Sequence, residues 1–394
     1  MPGIIVSDTE GYYMYLPAVF IQYDLHKVPE RTMNARLNEK GEVVIKYTCG
    51  VAIFYAPFFV VSNIAAHTFN YNTSGFSTPY YYGIMLCGVF WSVVGIWLLY
   101  RLLRQQFSNK TAILTTLAIC AGTNYFFYAT KWMGMSHIYS FVLVAGLSLL
   151  LRRYYERRSV SLAAVIGALT GLLVLIRPTN ILLLLFFVLI DITSIEGLRK
   201  RIQLSARHPA DLLLAAACLA CVFIPQLLYW KEMTGHWVNY SYAGESFVYW
   251  RAPKIGAVLF DTQNGLFVYA PILLMSVAGL FTKDTRANNV AVWPVLLIGT
   301  YLFASWWAWW FGAAYGHRCY IELLPLFALP MASAIDGIGK KSITMQRALY
   351  ALMAIAIIYN IGLTHVFDRT GVMWDGPQWR WNRELWWNMV KQIV

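Results

Sequence analysis

Residues 152–201 read RRYYERRSVSLAAVIGALTGLLVLIRPTNILLLLFFVLIDITSIEGLRKR. Two basic clusters, Arg152/Arg153/Arg157/Arg158 and Arg199/Lys200/Arg201, bracket an apolar stretch from 159 to 198. Drawn as one helix, that stretch would run about 60 Å, twice the hydrocarbon thickness of a bilayer. Basic clusters beside apolar runs mark the cytoplasmic side. The stretch therefore crosses and returns, turning at Arg177-Pro178-Thr179-Asn180, where proline interrupts a helix.

The same pattern organises the rest of the chain. Arg101/Arg104/Lys110, the two clusters above (the second extended by Arg207), Lys283/Arg286 and Lys340/Lys341/Arg347 hold just over half of the 31 Lys and Arg. Assigned to the cytoplasm, they make 111–151 a hairpin turning near Lys131, and 287–339 a hairpin turning near Trp307–Arg318. Spans at about 211–229 and 265–281 flank a long outer loop, and spans at about 81–103 and 346–366 complete the set. The expected fold is an all-α polytopic membrane protein with about 10 transmembrane helices. Residues 1–80 form an outer segment with interfacial helices, 81–366 the transmembrane domain with an outer loop at 230–263, and 367–394 a Trp-rich outer tail. Val51–Ala66 is apolar but begins and ends on the outer side, so it is expected to lie in the interface or re-enter, with a true span there, paired with another nearby, as the alternative. The opening MPGIIVSD has no basic n-region and no full apolar stretch, so a first crossing is expected upstream of Met1.

Composition agrees with this topology. The 394 residues are 59% hydrophobic and 13% charged, with mean hydropathy +0.52. Soluble domains carry about 25% charge, so a water-soluble globule and a disordered chain are excluded. The net charge of +12 is accounted for by the cytoplasmic clusters, and no nucleic-acid partner is expected. None of the six cysteines forms a CxxC pair with partner ligands, so no metal site is expected.

The outer face carries the candidate chemistry. Each of its three hairpin turns presents one cation: Lys131, Arg177 and Arg318. An ionisable group near membrane depth is costly and marks a functional candidate, although snorkelling at a helix end explains a single one. Guanidinium offers a planar fork suited to phosphate oxygens. His137, six residues after Lys131, is placed to serve the same anion; His317, beside Arg318, is the weaker candidate. Most of the 16 tryptophans fall on this face, among them Trp306, Trp307, Trp309, Trp310 and Trp374 through Trp387. An interfacial belt explains part of that excess, and the remainder fits stacking on sugars or a lipid chain. Acids suited to proton transfer occur in Ser7-Asp8-Thr9-Glu10-Gly11-Tyr12-Tyr13. If that segment is extended, Asp8 and Glu10 face one side, as a base and an orienting partner require. Glu232, Glu245 and Asp261 of the long loop are expected to be solvated. No GxSxG, HExxH or P-loop occurs.

The order of these motifs resembles the GT-C glycosyltransferases, in particular bacterial relatives of protein O-mannosyltransferases and of the lipid A aminoarabinose transferase. The matching residues begin with Asp8-Thr9-Glu10-Gly11-Tyr12-Tyr13 followed by Leu16-Pro17. Lys46-Tyr47 with Gly50 and Pro57, Ser136-His137, and Arg177-Pro178-Thr179-Asn180 come next. Gly265-Leu266-Phe267 with Pro271, Trp306 and Trp309, Tyr315-Gly316-His317-Arg318 and Leu324-Pro325 complete the series. The resemblance implies a multi-pass plasma-membrane enzyme, in bacteria of the inner membrane, working on the periplasmic side. It implies transfer of a sugar from a polyprenyl-phosphate donor to a lipid, glycan or protein acceptor. Asp8 is then the catalytic base with Glu10 second, and Lys131, His137, Arg177 and Arg318 meet the donor phosphate. No nucleotide cofactor is implied, and use of a divalent cation stays open. The competing readings are a transporter or flippase of lipid-linked sugars, for which broken midplane helices and paired repeats are the signature, and an O-antigen-type ligase.

Overall fold

The computed structural model describes residues 4–28, 35–242, 244–370 and 391. Helices dominate it. Among the described residues the strands are Ala35–Leu37 and Val43–Ile45, paired antiparallel. Seven helical segments are long and apolar enough to cross a membrane: Gly50–Thr68, Thr78–Arg104, Ser136–Glu156, Pro209–Thr234, Thr285–Ser305, Arg318–Ile338 and Ile343–Asp368. Val160–Ile176, Pro178–Leu189 and Pro271–Leu280 are shorter apolar helices. The protein is a polytopic helical membrane protein.

The expected turns occur where the sequence places them. The 111–151 hairpin is Asn109–Gly122 and Tyr125–Thr130, then Ser136–Glu156. The 159–198 hairpin breaks at Arg177, whose backbone is extended, before a 3-10 turn from Pro178 to Leu182. Its second arm is shorter than expected and ends at Leu189. Asp191 adopts φ 59°, and the following Ile195–Arg207 helix has no buried residue. The charges of that helix hold it on the surface.

Val51–Ala66 belongs to the Gly50–Thr68 helix, which runs antiparallel to the first half of Thr78–Arg104. The Cys87 thiol meets the Phe54 carbonyl at 3.3 Å, and Tyr80 donates to Asn63 at 2.6 Å. Elsewhere helices approach through small residues, as membrane helices do. A Cβ on Gly171 would lie 2.8 Å from the Leu219 carbonyl, and one on Gly167 would strike the Ala215 backbone. Without those glycines, Val160–Ile176 and Pro209–Thr234 could not pack so closely.

One end of the bundle is fixed by ion pairs. Arg152 grips Asp191 with Nε and Nη2, at 2.7 and 2.8 Å. Arg158 grips Asp211 the same way, at 2.6 and 2.7 Å, and Arg286 joins Asp284 to Asp336. Two-pronged arginine–carboxylate contacts are directional, so these pairs set the helix ends in register. The opposite end gathers the start of Ser136–Glu156, the close of Val160–Ile176, the Arg318–Leu323 turn and the short helix Asp8–Tyr13. Of the expected Trp-rich tail, Trp374 through Trp387 lie outside the described residues.

Candidate active site

Asp8 opens the Asp8–Tyr13 helix. The segment is helical, not extended, so residues two apart point about 200° away from each other. Asp8 and Glu10 therefore do not share a face, and the expected side-by-side pair of acids does not form. Two groups from distant parts of the chain hold the Asp8 carboxylate. Arg318 Nη1 donates to Oδ2 at 2.9 Å, and the Tyr47 hydroxyl donates to Oδ1 at 2.5 Å. Gly11 makes the second contact possible, because a Cβ there would collide with the edge of the Tyr47 ring, 2.8 Å from its Cε2 and closer still to its Cδ2. Tyr12 packs on the same ring, with centroids 4.7 Å apart, and donates to Ser136 Oγ at 3.3 Å.

These contacts set the charge states. Burial pushes the Asp8 carboxyl upward, but Arg318 and the Tyr47 hydroxyl outweigh it and hold the group below its ordinary range. Asp8 is consequently an anion at neutral pH. Burial and the neighbouring Asp8 charge push the Tyr47 phenol well above its ordinary value, so it remains a donor. Burial, with Asp8 adding to it, pushes Tyr242 up to about 12.

A second group of side chains adjoins the first. His137 Nδ1 and Glu322 Oε2 are 2.9 Å apart, both side chains buried. Arg177 from the Pro178 turn places Nε 3.4 Å from Glu322 Oε1 and Nη1 3.2 Å from the His137 ring, and its Nη2 lies 3.2 Å from Cys319 Sγ. Arg318, Cys319 and Glu322 share one 3-10 turn, Arg318–Leu323. In such a turn residues three apart eclipse one another, so Cys319 and Glu322 face Arg177 together.

Residues 8, 47, 137, 177, 318 and 322, far apart in sequence, thus form one charged site. Lys131 stands apart from these contacts: its ammonium pairs with Asp368 at 2.7 Å. His317 is buried under Phe303, Phe311 and Tyr320, with Nε2 3.0 Å from the Trp309 carbonyl. Glu245, expected to be solvated, instead takes Lys46 at 2.6 Å and the Trp307 indole at 3.3 Å. Lys46 also lies 4.7 Å from the Tyr242 ring centroid, and Tyr242 meets Trp306. The loop that follows the Pro209–Thr234 helix is tied by these contacts to Lys46 and Tyr47. Glu322 is the residue that sequence reasoning missed. Its signal was present, since it is the one charge in the apolar run from 319 to 335. Among the described residues, no group of three or more His, Cys, Asp or Glu side chains is arranged to hold a metal ion.

Residues 80–230 match the family model described as dolichyl-phosphate-mannose-protein mannosyltransferase. Two solved structures share the fold. One is ArnT from Cupriavidus metallidurans in the apo state, with TM-score 0.51 and 14% identity over 91% of this chain and 59% of that one. The other is the archaeal oligosaccharyltransferase AglB from Archaeoglobus fulgidus, in complex with an inhibitory peptide and a dolichol-phosphate. It has TM-score 0.50 and 16% identity over 97% of this chain and 54% of that one. The chain has the GT-C fold. The chain spans a little more than half the length of either structure, and no curated protein sequence matches it. In it the Asp8–Tyr13 helix, the His137 helix start, the Arg177 turn and the Arg318 turn all meet at one end of the helical bundle.

Proposed function

We propose that this protein is a membrane glycosyltransferase that moves a sugar from a polyprenyl-phosphate donor to a glycan, lipid or protein acceptor on the outer face of the membrane. The observation that carries the reading is the Asp8 carboxylate held between Arg318 and Tyr47, beside a second guanidinium, Arg177. The carboxylate is poised next to two arginine forks suited to a phosphate, at the end of the bundle away from the basic clusters.

The chemistry follows from that arrangement. Asp8 takes the proton of the acceptor hydroxyl or amine as that group attacks the anomeric carbon. The new bond forms at that carbon while its bond to the phosphate oxygen breaks, and the electron pair leaves with the polyprenyl phosphate. Arg318 and Arg177 meet the charge that develops there. A single displacement inverts the anomeric centre. Arg318 donates to Asp8, which keeps Asp8 a weak base. A donor phosphate competes for Arg318, and losing that partner raises the basicity of Asp8 as the sugar arrives. An open cavity of about 590 Å³, lined by Arg36, Lys40, Lys46, Glu232, His236 and Tyr240 among others, reaches Lys46, the chain neighbour of Tyr47.

The test incubates membranes containing the protein with a panel of radiolabelled polyprenyl-phosphate sugars and follows the label. Transfer to a lipid, glycan or protein fraction that disappears with Asp8→Asn is the expected result. Equal labelling with and without the protein, across the panel, would remove the reading.

A further inference from the structure

We propose that Glu322 is a positioning residue of the donor site, holding the Arg177 guanidinium and the His137 ring in the orientation in which they meet phosphate. The inference rests on the reading of Arg177 as part of the phosphate clamp.

Glu322 is an isolated acid in an apolar stretch, and its side chain is only 3% exposed. A carboxylate in such a place is costly and persists only with partners. It uses both oxygens: Oε2 lies 2.9 Å from His137 Nδ1, and Oε1 lies 3.4 Å from Arg177 Nε. With Arg177 Nη1 against the His137 ring and Nη2 against Cys319 Sγ, all three nitrogens of the guanidinium are fixed in direction. A guanidinium has five N–H donors. Each Nη nitrogen carries two N–H groups and makes one of these contacts, so each keeps an N–H for an incoming anion.

The position of Glu322 adds a second reason. It sits on the same 3-10 turn as Arg318, so one turn supplies one arginine and aims the other. Asp8 does for Arg318 what Glu322 does for Arg177, but the two acids differ in access. Asp8 is 16% exposed and lies on an outer helix. Glu322 is enclosed by its two partners and cannot reach an acceptor, so it acts through them.

A purely structural ion pair would make the same contacts, so the test must read phosphate recognition. The full chain in lipid nanodiscs is titrated with farnesyl phosphate, a short polyprenyl phosphate that needs no knowledge of the sugar. Affinity is expressed per folded molecule. Glu322→Gln is expected to weaken binding about tenfold, the loss that follows from removing a charge-assisted contact. Glu322→Asp keeps the charge and should recover part of that loss. In an Arg177→Ala background, Glu322→Gln should change binding less than twofold, because the residue it positions is gone. Equal losses in both backgrounds, or a lower melting temperature with unchanged affinity, would overturn the assignment. If Arg177→Ala itself leaves binding intact, the clamp reading falls and the positioning role falls with it. If Arg177→Ala weakens binding and Glu322→Gln does not, only the positioning role falls.

Discussion

Replacing Asp8 by Asn changes a charge and almost nothing else. Asn keeps the size and one carbonyl oxygen, so the Tyr47 hydroxyl can still donate to it. What is lost is the countercharge to Arg318 Nη1, now 2.9 Å away, and the ability to take a proton. The two side chains are 17% and 16% exposed, between the regime of exposed pairs, worth at most about 1 kcal/mol, and that of buried pairs, where removing one partner costs about 3–5 kcal/mol. A loss of about 1–2 kcal/mol in stability is expected, small enough to leave most molecules folded. The catalytic loss is larger. Removing a general base costs at least about 10² in rate, equivalent to about 2.7 kcal/mol in the barrier. The assay is label transfer from a polyprenyl-phosphate sugar, divided by the amount of folded protein from size-exclusion chromatography. A normalised rate near wild type for Asp8→Asn, with a collapse for Glu10→Gln, would move the base to Glu10. Near-normal rates for both would show that the acidic segment is not the reacting site.

Arg318→Lys keeps the charge but loses the fork and should reduce normalised transfer about tenfold, with Arg318→Ala lower still, measured in the same assay. Tyr47→Phe removes a hydrogen bond that holds the Asp8 pKa down. The acidic limb of the pH–rate profile should then move to higher pH, and an unmoved limb would sever Tyr47 from the base. Gly171→Ala places a methyl against the Leu219 carbonyl and should lower stability by about 1–3 kcal/mol, read as a lower melting temperature with normal turnover per folded molecule. A cysteine at Gly244, in a cysteine-free background, should react with an impermeant thiol reagent from outside, and one at Ser205 should not. The reverse pattern would turn the site toward the cytoplasm.

The sequence by itself determined the class of fold and where its hairpins turn. Charge clusters and apolar length act locally, through the cost of placing a cation in hydrocarbon, so Arg177-Pro178 could be read as a turn without knowing any neighbour. Arg177 and Arg318 stood out for the same reason, as charges where charge is expensive, whereas Asp8 was marked as an acid suited to proton transfer and His137 as a neighbour of Lys131. Their grouping was not local. Whether Asp8 and Glu10 shared a face depended on the segment being a helix, and six residues are too few to declare a helical period. Lys131 carries the same kind of turn cation as Arg177, yet only the placement of the Ile343–Thr370 helix gave it Asp368 as a partner. Glu322 and Tyr47 acquire meaning from atoms 185 and 39 residues away along the chain. A carboxylate or a phenol has no role until packing supplies the donor, cation or ring it faces, and that pairing was decided by the tertiary structure alone.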